Sequence, residues 1–312
     1  TLADYFNSHA NAKKFVYEIE TKKKKNHKEI RDCSKKISAN LDKLLNKSKI
    51  VTVILPNSIS YIELYLATML SGGIFNPLPY FTDANELGKI LSYIEPDVII
   101  TDKLDLIHKF KNKFKLLKPN ELLSGKEVYI KKKINPNQIA ALYYSSGTTG
   151  DPKGVLYSHK NIVSLIKSII KNFKFSNKDR QLAFLPFGHT ASINYNILPS
   201  LLVGCNLFVS KGFEFLRKDF FKVLEKHKIT YTEIVPTVLF ILNKLKFDIS
   251  KFKLTNLQFI GCGSSTLPLS AQKEFIKLYG IGLGNLYGLS ETGPSHIDDP
   301  REKNWTPGSV GF

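Results

Sequence analysis

Hydrophobic positions recur at two different periods along this chain, and the alternation between them predicts its architecture. Ile30, Cys33, Ile37, Leu41 and Leu44 fall three and four residues apart, the stripe of an amphipathic helix over 29 to 45. The β-branched run Ile50-Val-Thr-Val-Ile-Leu55 follows, closed by Pro56-Asn57, as expected for a buried strand ended by a turn. A helix from about Ser60 to Leu70 comes next, then a strand from Gly73 to Leu78. Asp83 and Glu86 are spaced like a capping box at the head of a helix reaching Ile94, and Asp97 to Thr101 reads as another strand. Gln138 to Tyr144 predicts a strand running into a glycine loop. Further strands are expected near Gln181 to Phe184, Asn206 to Val209, Thr230 to Val235 and Leu257 to Ile260, separated by helical patterns over 215 to 226, 237 to 245 and 268 to 279. Strands alternating with helices of this length imply βαβ units, so the expected fold class is α/β, with two packed parallel-rich sheets flanked by helices.

Composition narrows the class. At about 100–200 residues per domain, 312 residues suggest two closely packed domains or one large domain with subdomains. With 43% apolar and 23% charged residues, a disordered or low-complexity chain is excluded. The longest mainly apolar stretch, Leu64 to Phe75, is well short of the roughly 20 residues of a membrane span, so no span is expected. The chain opens at Thr1 without a basic-then-apolar leader, and Cys33, Cys205 and Cys262 lie far apart without a CxxC pair. Both features favour a cytoplasmic protein with reduced thiols over a disulfide framework or zinc site. The formal charge of +18 raises nucleic acid as a partner. Against it, arginine, the usual reader of phosphate and guanine edges, occurs only at 31, 180, 217 and 301, so the expectation is a diffuse lysine surface and no specific nucleic acid. The run Lys22 to Lys25 is read as an exposed loop and Lys131 to Lys133 as a linker edge.

The segment Tyr143-Tyr-Ser-Ser-Gly-Thr-Thr-Gly-Asp-Pro-Lys-Gly-Val155 carries the strongest chemical signal. Hydroxyls, glycine backbone N–H groups and the Lys153 cation can converge on phosphate oxygens. It is no Walker A loop, because Asp-Pro separates Gly150 from Lys153 and no Ser or Thr follows the lysine. Tyr287 beside Gly288 offers a flat face with an open approach for a purine, or a core tyrosine. Glu291, amid Gly, Ser and Thr, suits magnesium, which takes one or two protein oxygens, although an isolated Glu is commonly a surface residue. His189 follows Leu-Pro-Phe-Gly and precedes a run of small residues; a histidine alone is more often packed or solvated than functional. His159 and Cys262 read as structural.

Ser-Ser-Gly-Thr-Thr-Gly-x-Pro-Lys-Gly at 145 to 154 resembles, at every position, the phosphate-loop signature of the adenylate-forming superfamily of acyl-CoA synthetases, luciferases and peptide-synthetase adenylation domains. Leu185-Pro-Phe-Gly-His189, Phe259-Ile-Gly-Cys-Gly-Ser-Ser265 and Asn285-Leu-Tyr-Gly-Leu-Ser-Glu-Thr292 resemble its acyl-pocket, adenine and aromatic-Gly-x-Ser-Glu-Thr segments, in the family's order. The resemblance implies Lys153, Thr148, Glu291 and His189 as catalytic residues and Glu291 with Thr148 as magnesium ligands. It implies nucleotide contacts from Ser145, Ser146, Gly147, Thr148, Thr149, Gly150, Lys153, Gly263, Ser264, Ser265, Asn285, Tyr287, Gly288 and Thr292. Family members often carry Pro where this chain has Thr266, and glycines where it has Ala191-Ser192.

The implied activity is ATP- and Mg2+-dependent conversion of a carboxylic acid to its acyl-adenylate, then transfer to a thiol, CoA being the expected acceptor, with fatty acid metabolism as the setting. The alternatives are an adenylation domain loading an acyl carrier protein, and a catalytically incomplete nucleotide-binding fragment. Expected units are a first α/β subdomain over 1–175, a second over 176–300 with the acyl and adenine pockets, and over 301–312 the start of a β-barrel subdomain. Compared with the family, the barrel's ribose-binding Asp and the small C-terminal domain with its Lys are missing. The chain by itself is therefore expected to bind ATP weakly and turn over slowly.

Overall fold

The computed structural model describes residues 1–9, 12–124, 128–145 and 153–311. Two mixed sheets form among them. The first joins β3 (Ile50–Ile54), β4 (Ile74–Pro77), β5 (Val98–Thr101), β6 (Leu116–Leu117), β7 (Ile139–Ser145) and β8 (Lys153–Ser158) in the order β6-β5-β3-β4-β7-β8. The second orders β14 (Gly293–Ile297), β13 (Leu283–Leu289), β12 (Phe259–Gly263), β11 (Tyr231–Ile234), β9 (Arg180–Ala183), β10 (Asn206–Val209), β1 (Phe15–Glu18) and β2 (Lys24–Asn26). Pairing is parallel except for β7/β8, β13/β14 and β1/β2. β1 and β2 lie within the expected first subdomain of 1–175, yet they pair with the strands of the second half, β1 running parallel to β10.

Side-chain alternation assigns each face. In β3, Val51 and Val53 enter the central core while Ile54 faces outward; in β9 to β12, Ala183, Leu207, Tyr231 and Phe259 point inward and Leu182, Phe208, Ile234 and Ile260 outward. The central core is filled between the sheets by helices Ile59–Ser71 and His159–Phe173. Helices Phe220–Lys226, Pro236–Leu245 and Leu269–Tyr279 cover the outer face of the second sheet, and Ala84–Ile94 and Leu104–Phe110 that of the first. Helix starts follow their sequence signals. Ser58 accepts from the Tyr61 N–H, Asp83 from those of Asn85 and Glu86, and Asn26 forms a reciprocal box with Glu29.

Two expectations change. The pattern over 215 to 226 forms two helices, Phe213–Leu216 and Phe220–Lys226, because Asp219 leaves the helical region and its N–H closes a turn on the Leu216 carbonyl at 2.9 Å. Of the lysines read as a loop, Lys22 and Lys23 stay in one, but Lys24 and Lys25 enter β2, where Lys24 lies 4.1 Å over the Phe15 ring and Lys25 reaches the buried Glu63 carboxylate. A cross-strand aromatic and a buried counter-charge outweigh the poor strand propensity of lysine. Lys132, in the expected linker edge, bonds Asp42. No helix among the described residues is long and apolar enough to cross a membrane. Residues 301–311 hold no strand. They are tied down by Arg301, which bonds Asp299, Gln258 and the Phe173 carbonyl while stacking 4.6 Å from the Phe259 ring centroid.

Two buried histidines open helices. His27 and His159 have no exposed surface; neither ring nitrogen of His159 has a hydrogen-bond partner among the described residues and His27 has only a weak approach to the Cys205 backbone, and desolvation lowers each imidazole to about 4 from an ordinary 6.5. A folded pKa held below the unfolded one means that the unfolded chain takes up the proton first. The stability these groups contribute is present above about pH 6.5 and is lost as pH falls toward 4. Each histidine should cost about 2 kcal/mol between pH 7 and pH 5. Urea unfolding at the two pH values measures this, and H27Q should remove about half of the fall; a fall unchanged in that variant would exclude His27 as a source.

Candidate active site

The site is built at the carboxyl ends of parallel strands, where open α/β sheets leave room for ligands. Its first component is a loop held across the two sheets. Asn57, in the turn that closes β3, is buried, and its two amide hydrogens serve the carbonyls of Phe184 (3.2 Å), Leu185 (3.0 Å) and Ser210 (3.1 Å). Its oxygen accepts from the Phe187 N–H at 2.8 Å, and the Tyr61 hydroxyl donates to the Phe187 carbonyl at 2.6 Å. The Leu185–His189 segment is thus fixed by a residue of the opposite sheet. Gly188 lies flush on that sheet as well, since a Cβ there would stand 2.6 Å from the Pro79 Cα.

The second component is the phosphate-loop hairpin. Ser145 and Lys153 are register partners at the ends of antiparallel β7 and β8, so the loop leaves and re-enters the sheet at one point. Ser146, Gly147, Thr148, Thr149 and Gly150 lie outside the described residues. The Ser145 hydroxyl donates to the Glu291 carboxylate at 3.0 Å, and the Tyr157 hydroxyl of β8 donates to the Ser290 carbonyl. Both bonds tie this hairpin to the 286–292 segment. There the Thr292 hydroxyl accepts from the Leu289 N–H at 3.1 Å, folding the Leu-Ser-Glu-Thr turn back on itself. Gly288 makes the close approach this requires, because a Cβ would meet the Gly293 carbonyl oxygen at 2.4 Å.

Between these parts lies a cavity of about 560 Å³. Its walls include Tyr144 and Ser145 at the end of β7, Gly188, His189, Asn194 and Tyr195 after β9, Val235 after β11, Ser264 after β12, and Leu286, Gly288 and Ser290 on β13 and its turn. Described parts of all three nucleotide-type segments therefore converge on one cleft, with His189 on the same wall. His189 keeps exposed surface at the cavity, yet partial desolvation lowers its imidazole below the ordinary value, so the ring is neutral at pH 7. Ser264 adopts a left-handed φ of 71° at the lip.

Lys153, Ser265, Tyr287, Glu291 and Thr292 are exposed beside the cleft rather than inside it. Tyr287 packs its ring edge-to-face on His296 with centroids 5.7 Å apart and leaves 47% of its surface open. Asn285 turns away from the cavity, its amide donating to the Ser309 carbonyl at 2.9 Å. Gly263 faces strand β13, where a Cβ would be 2.7 Å from the Leu286 carbonyl oxygen. A single carboxylate at Glu291, with no cluster of three or more His, Cys, Asp or Glu among the described residues, fits a metal held chiefly by substrate phosphates and water.

The cavity residues Asn194 and Tyr195 escaped sequence reading. They sit in a π-helical turn, Ile193–Ile197, inside a longer helical run. The Gln181 amide, with its nitrogen turned toward them, donates to the carbonyls of Tyr195 and Asn196 at 3.2 and 3.3 Å, satisfying groups that the widened turn frees. The available signal was Asn-Tyr-Asn interrupting an apolar helix. An adjoining cavity of about 360 Å³ shares Leu185, Pro186, Gly188 and Val235, and adds Phe81, Phe213, Lys211 and Arg217. Cys205 and Cys262 are buried and desolvation raises both thiols, Cys205 to about 12, which removes them as nucleophiles.

Two glycine-lined, hydroxyl-rich turns facing a cleft across a seam between α/β sheets define a nucleotide-binding class of protein. The chain belongs to the AMP-binding enzyme family, whose model matches residues 3–312. It is 29% identical over 288 residues to 4-coumarate–CoA ligase CCL1 of Humulus lupulus, covering 84% of this chain and 52% of that protein. It is 26% identical over 301 residues to 4-coumarate–CoA ligase 1 of Narcissus pseudonarcissus, covering 88% and 54%. The chain thus spans about half the length of these curated relatives. The fold is shared with the ATP-bound MatB of Rhodopseudomonas palustris (TM-score 0.86, 22% identity, 99% of this chain and 63% of that one). It is shared too with the McyG A-PCP bound to phenylalanyl-adenylate (TM-score 0.86, 16% identity, 100% and 60%).

Removing the Asn57 amide strands buried carbonyls and the Phe187 N–H. N57A should lower unfolding free energy by about 2–4 kcal/mol, at about 1–3 kcal/mol for each unsatisfied group. Denaturant titration checks this, and a loss under about 0.5 kcal/mol would show that the loop holds itself. G288A should open the turn against the Gly293 carbonyl and release the Ser145–Glu291 bond, read as faster amide exchange across 286–293 than in the native chain.

Proposed function

We propose that this chain is the ATP- and acid-binding part of an AMP-forming acid–thiol ligase. The observation that carries the reading is the cleft itself, which gathers Ser145, Ser264, Gly288 and His189 with apolar side chains in one lining. A carboxylate oxygen attacks the α-phosphorus of ATP, the bond to the β-phosphate oxygen breaks, and acyl-adenylate and pyrophosphate form. A thiol then attacks the acyl carbon and AMP leaves.

The protein's work is positioning and charge stabilisation. Ser146, Gly147, Thr148, Thr149 and Gly150 would supply loop N–H groups and hydroxyls to the phosphates, and Lys153 a cation. Ser264, Ser265 and Gly263 border the adenine, Tyr287 stacks on it through its open face, Thr292 meets the α-phosphate, and Asn285 holds the 308–311 segment beside the nucleotide. Mg2+, when bound at Glu291 with Thr148, would neutralise phosphate charge. A neutral His189 orders the acid near the reacting carbon without competing for its charge.

Lys211 and Arg217, which outnumber the one carboxylate, Glu214, in the lining of the adjoining apolar cavity, favour a phosphorylated thiol such as CoA, a pantetheine arm ending in phosphates. A carrier-protein thiol carries the same arm with one phosphate. The small-molecule acid as substrate, CoA as acceptor, the fatty-acid setting and a cytoplasmic location belong to this proposal. Buried or half-buried reduced thiols support the last.

Acid-dependent ATP–pyrophosphate exchange in the protein carrying this chain tests the reading. K153A and E291A should each lower exchange by roughly a hundred- to a thousandfold, while changing unfolding free energy by less than about 0.5 kcal/mol, because both side chains are exposed. Exchange at the native rate in both variants would reject the assignment.

A further inference from the structure

The amino end of the first sheet, opposite the cleft, carries lysines that the proposed reaction does not use. The segments entering β3, β4, β5, β6 and β7 meet there along one edge. The Ile74 N–H bonds the Lys49 carbonyl at 2.7 Å, that of Asp97 the Ile50 carbonyl at 3.1 Å, and that of Ile99 the Lys115 carbonyl at 2.8 Å. The Gln138 amide and the Lys132 ammonium reach the Gly72 and Ser71 carbonyls at 2.7 and 3.3 Å. Lys47, Lys49, Lys115, Lys131 and Lys133 are exposed on these segments. Few carboxylates answer them. Asp97 accepts from the N–H groups of Asn46, Ser48 and Lys49, Asp42 pairs with Lys132, Asp4 stands 3.9 Å from Lys131, and Glu95 is exposed beside Asp97.

Apolar side chains adjoin the lysines. Residues 128–134 form neither helix nor strand and cross helix His27–Asp42 from Lys35, whose ammonium lies 5.6 Å from the Tyr129 ring centroid, to Asp42. Exposure alternates along this segment. Tyr129 is turned toward the helix, whereas Val128 is 81% and Ile130 78% exposed. Single exposed apolar residues are ordinary, but two β-branched side chains held outward beside a lysine edge combine the two attractions of a bilayer surface.

We propose that this edge is a docking surface for an anionic lipid bilayer, with Val128 and Ile130 entering the boundary between headgroups and acyl chains and the lysines facing lipid phosphates. The chemistry favours a bilayer over nucleic acid. Each lysine near an anionic leaflet contributes roughly fivefold to partition and needs no fixed partner. Arginine, the fork that suits fixed phosphates, is absent from residues 43–49, 111–115 and 128–138. Exposed aliphatic side chains gain from acyl chains and not from a duplex backbone. Because β3 to β7 pair in parallel and the cleft takes Pro77, Tyr144 and Ser145 from their carboxyl ends, docking leaves the cleft facing water. The inference therefore stands apart from the function proposed above.

The test is co-sedimentation of the protein carrying this chain with vesicles of phosphatidylcholine and phosphatidylglycerol, roughly 3:1, and with vesicles of phosphatidylcholine alone. Binding should require the anionic lipid and should fall at least tenfold between about 0.1 and 1 M salt. K131E/K133E should weaken partition by at least roughly twenty-fivefold, two lysines at roughly fivefold each. V128S/I130S should weaken it by roughly tenfold or more. All four side chains are exposed, so both double variants should keep the native unfolding midpoint. V128C carrying an environment-sensitive dye should shift to the blue on the anionic vesicles and stay unshifted on phosphatidylcholine. No binding to anionic vesicles, equal binding to phosphatidylcholine alone, or binding unchanged in both double variants would overturn the assignment. So would loss in K131E/K133E with none in V128S/I130S and an unshifted dye, the pattern of a site for a soluble polyanion such as nucleic acid.

Discussion

The relation between the two sheets at the site depends on one side chain that reaches from one sheet to the other. Asn57 closes β3, but its amide holds the carbonyls of Phe184, Leu185 and Ser210 and the N–H of Phe187 from the other sheet. Two separately twisted sheets have no intrinsic reason to keep their carboxyl ends in a fixed relation. A buried four-bond asparagine supplies that relation at one point, and helices Ile59–Ser71 and His159–Phe173 hold it along the rest of the seam. The cavity opens where this seam ends.

The nucleotide side is assembled by a different logic. Its turns are short and exposed, and they are positioned by contacts among themselves: Ser145 to Glu291, Tyr157 to Ser290, and the Leu289–Thr292 closure. Asp298 anchors their far end by accepting from the Trp305 indole at 2.7 Å, and burial raises its carboxyl above the usual range. The Leu185–Phe187 backbone is held by buried groups, whereas the 287–292 turn is exposed.

Sequence periodicity reveals the βαβ elements because a buried strand or an amphipathic helix leaves a local pattern. It misses β1, β2, β6, β8, β13 and β14: Lys25 is drawn into a strand by the distant Glu63, and half of β8 is exposed. The signature residues are legible because phosphate and metal chemistry restricts residue type. Asn285 and Gly263 belong to those motifs, but the first serves the chain's own backbone and the second its strand packing. Asn57 is illegible because its role arises only when the two halves meet, and Tyr195 because the π-helical turn that carries it is completed by the distant Gln181. An asparagine after a strand reads as a turn.

The central claim is that the segments at 145–154, 261–265 and 286–292 form one nucleotide site. Photolabelling with 8-azido-ATP followed by peptide mapping tests it most directly, because the reactive group sits on the purine. The account predicts label on the Leu286–Ser290 peptide, centred on Tyr287, with a lesser amount on Ser264–Ser265, and protection of both by AMP. Label confined to peptides outside these segments, or unaffected by AMP, would contradict it.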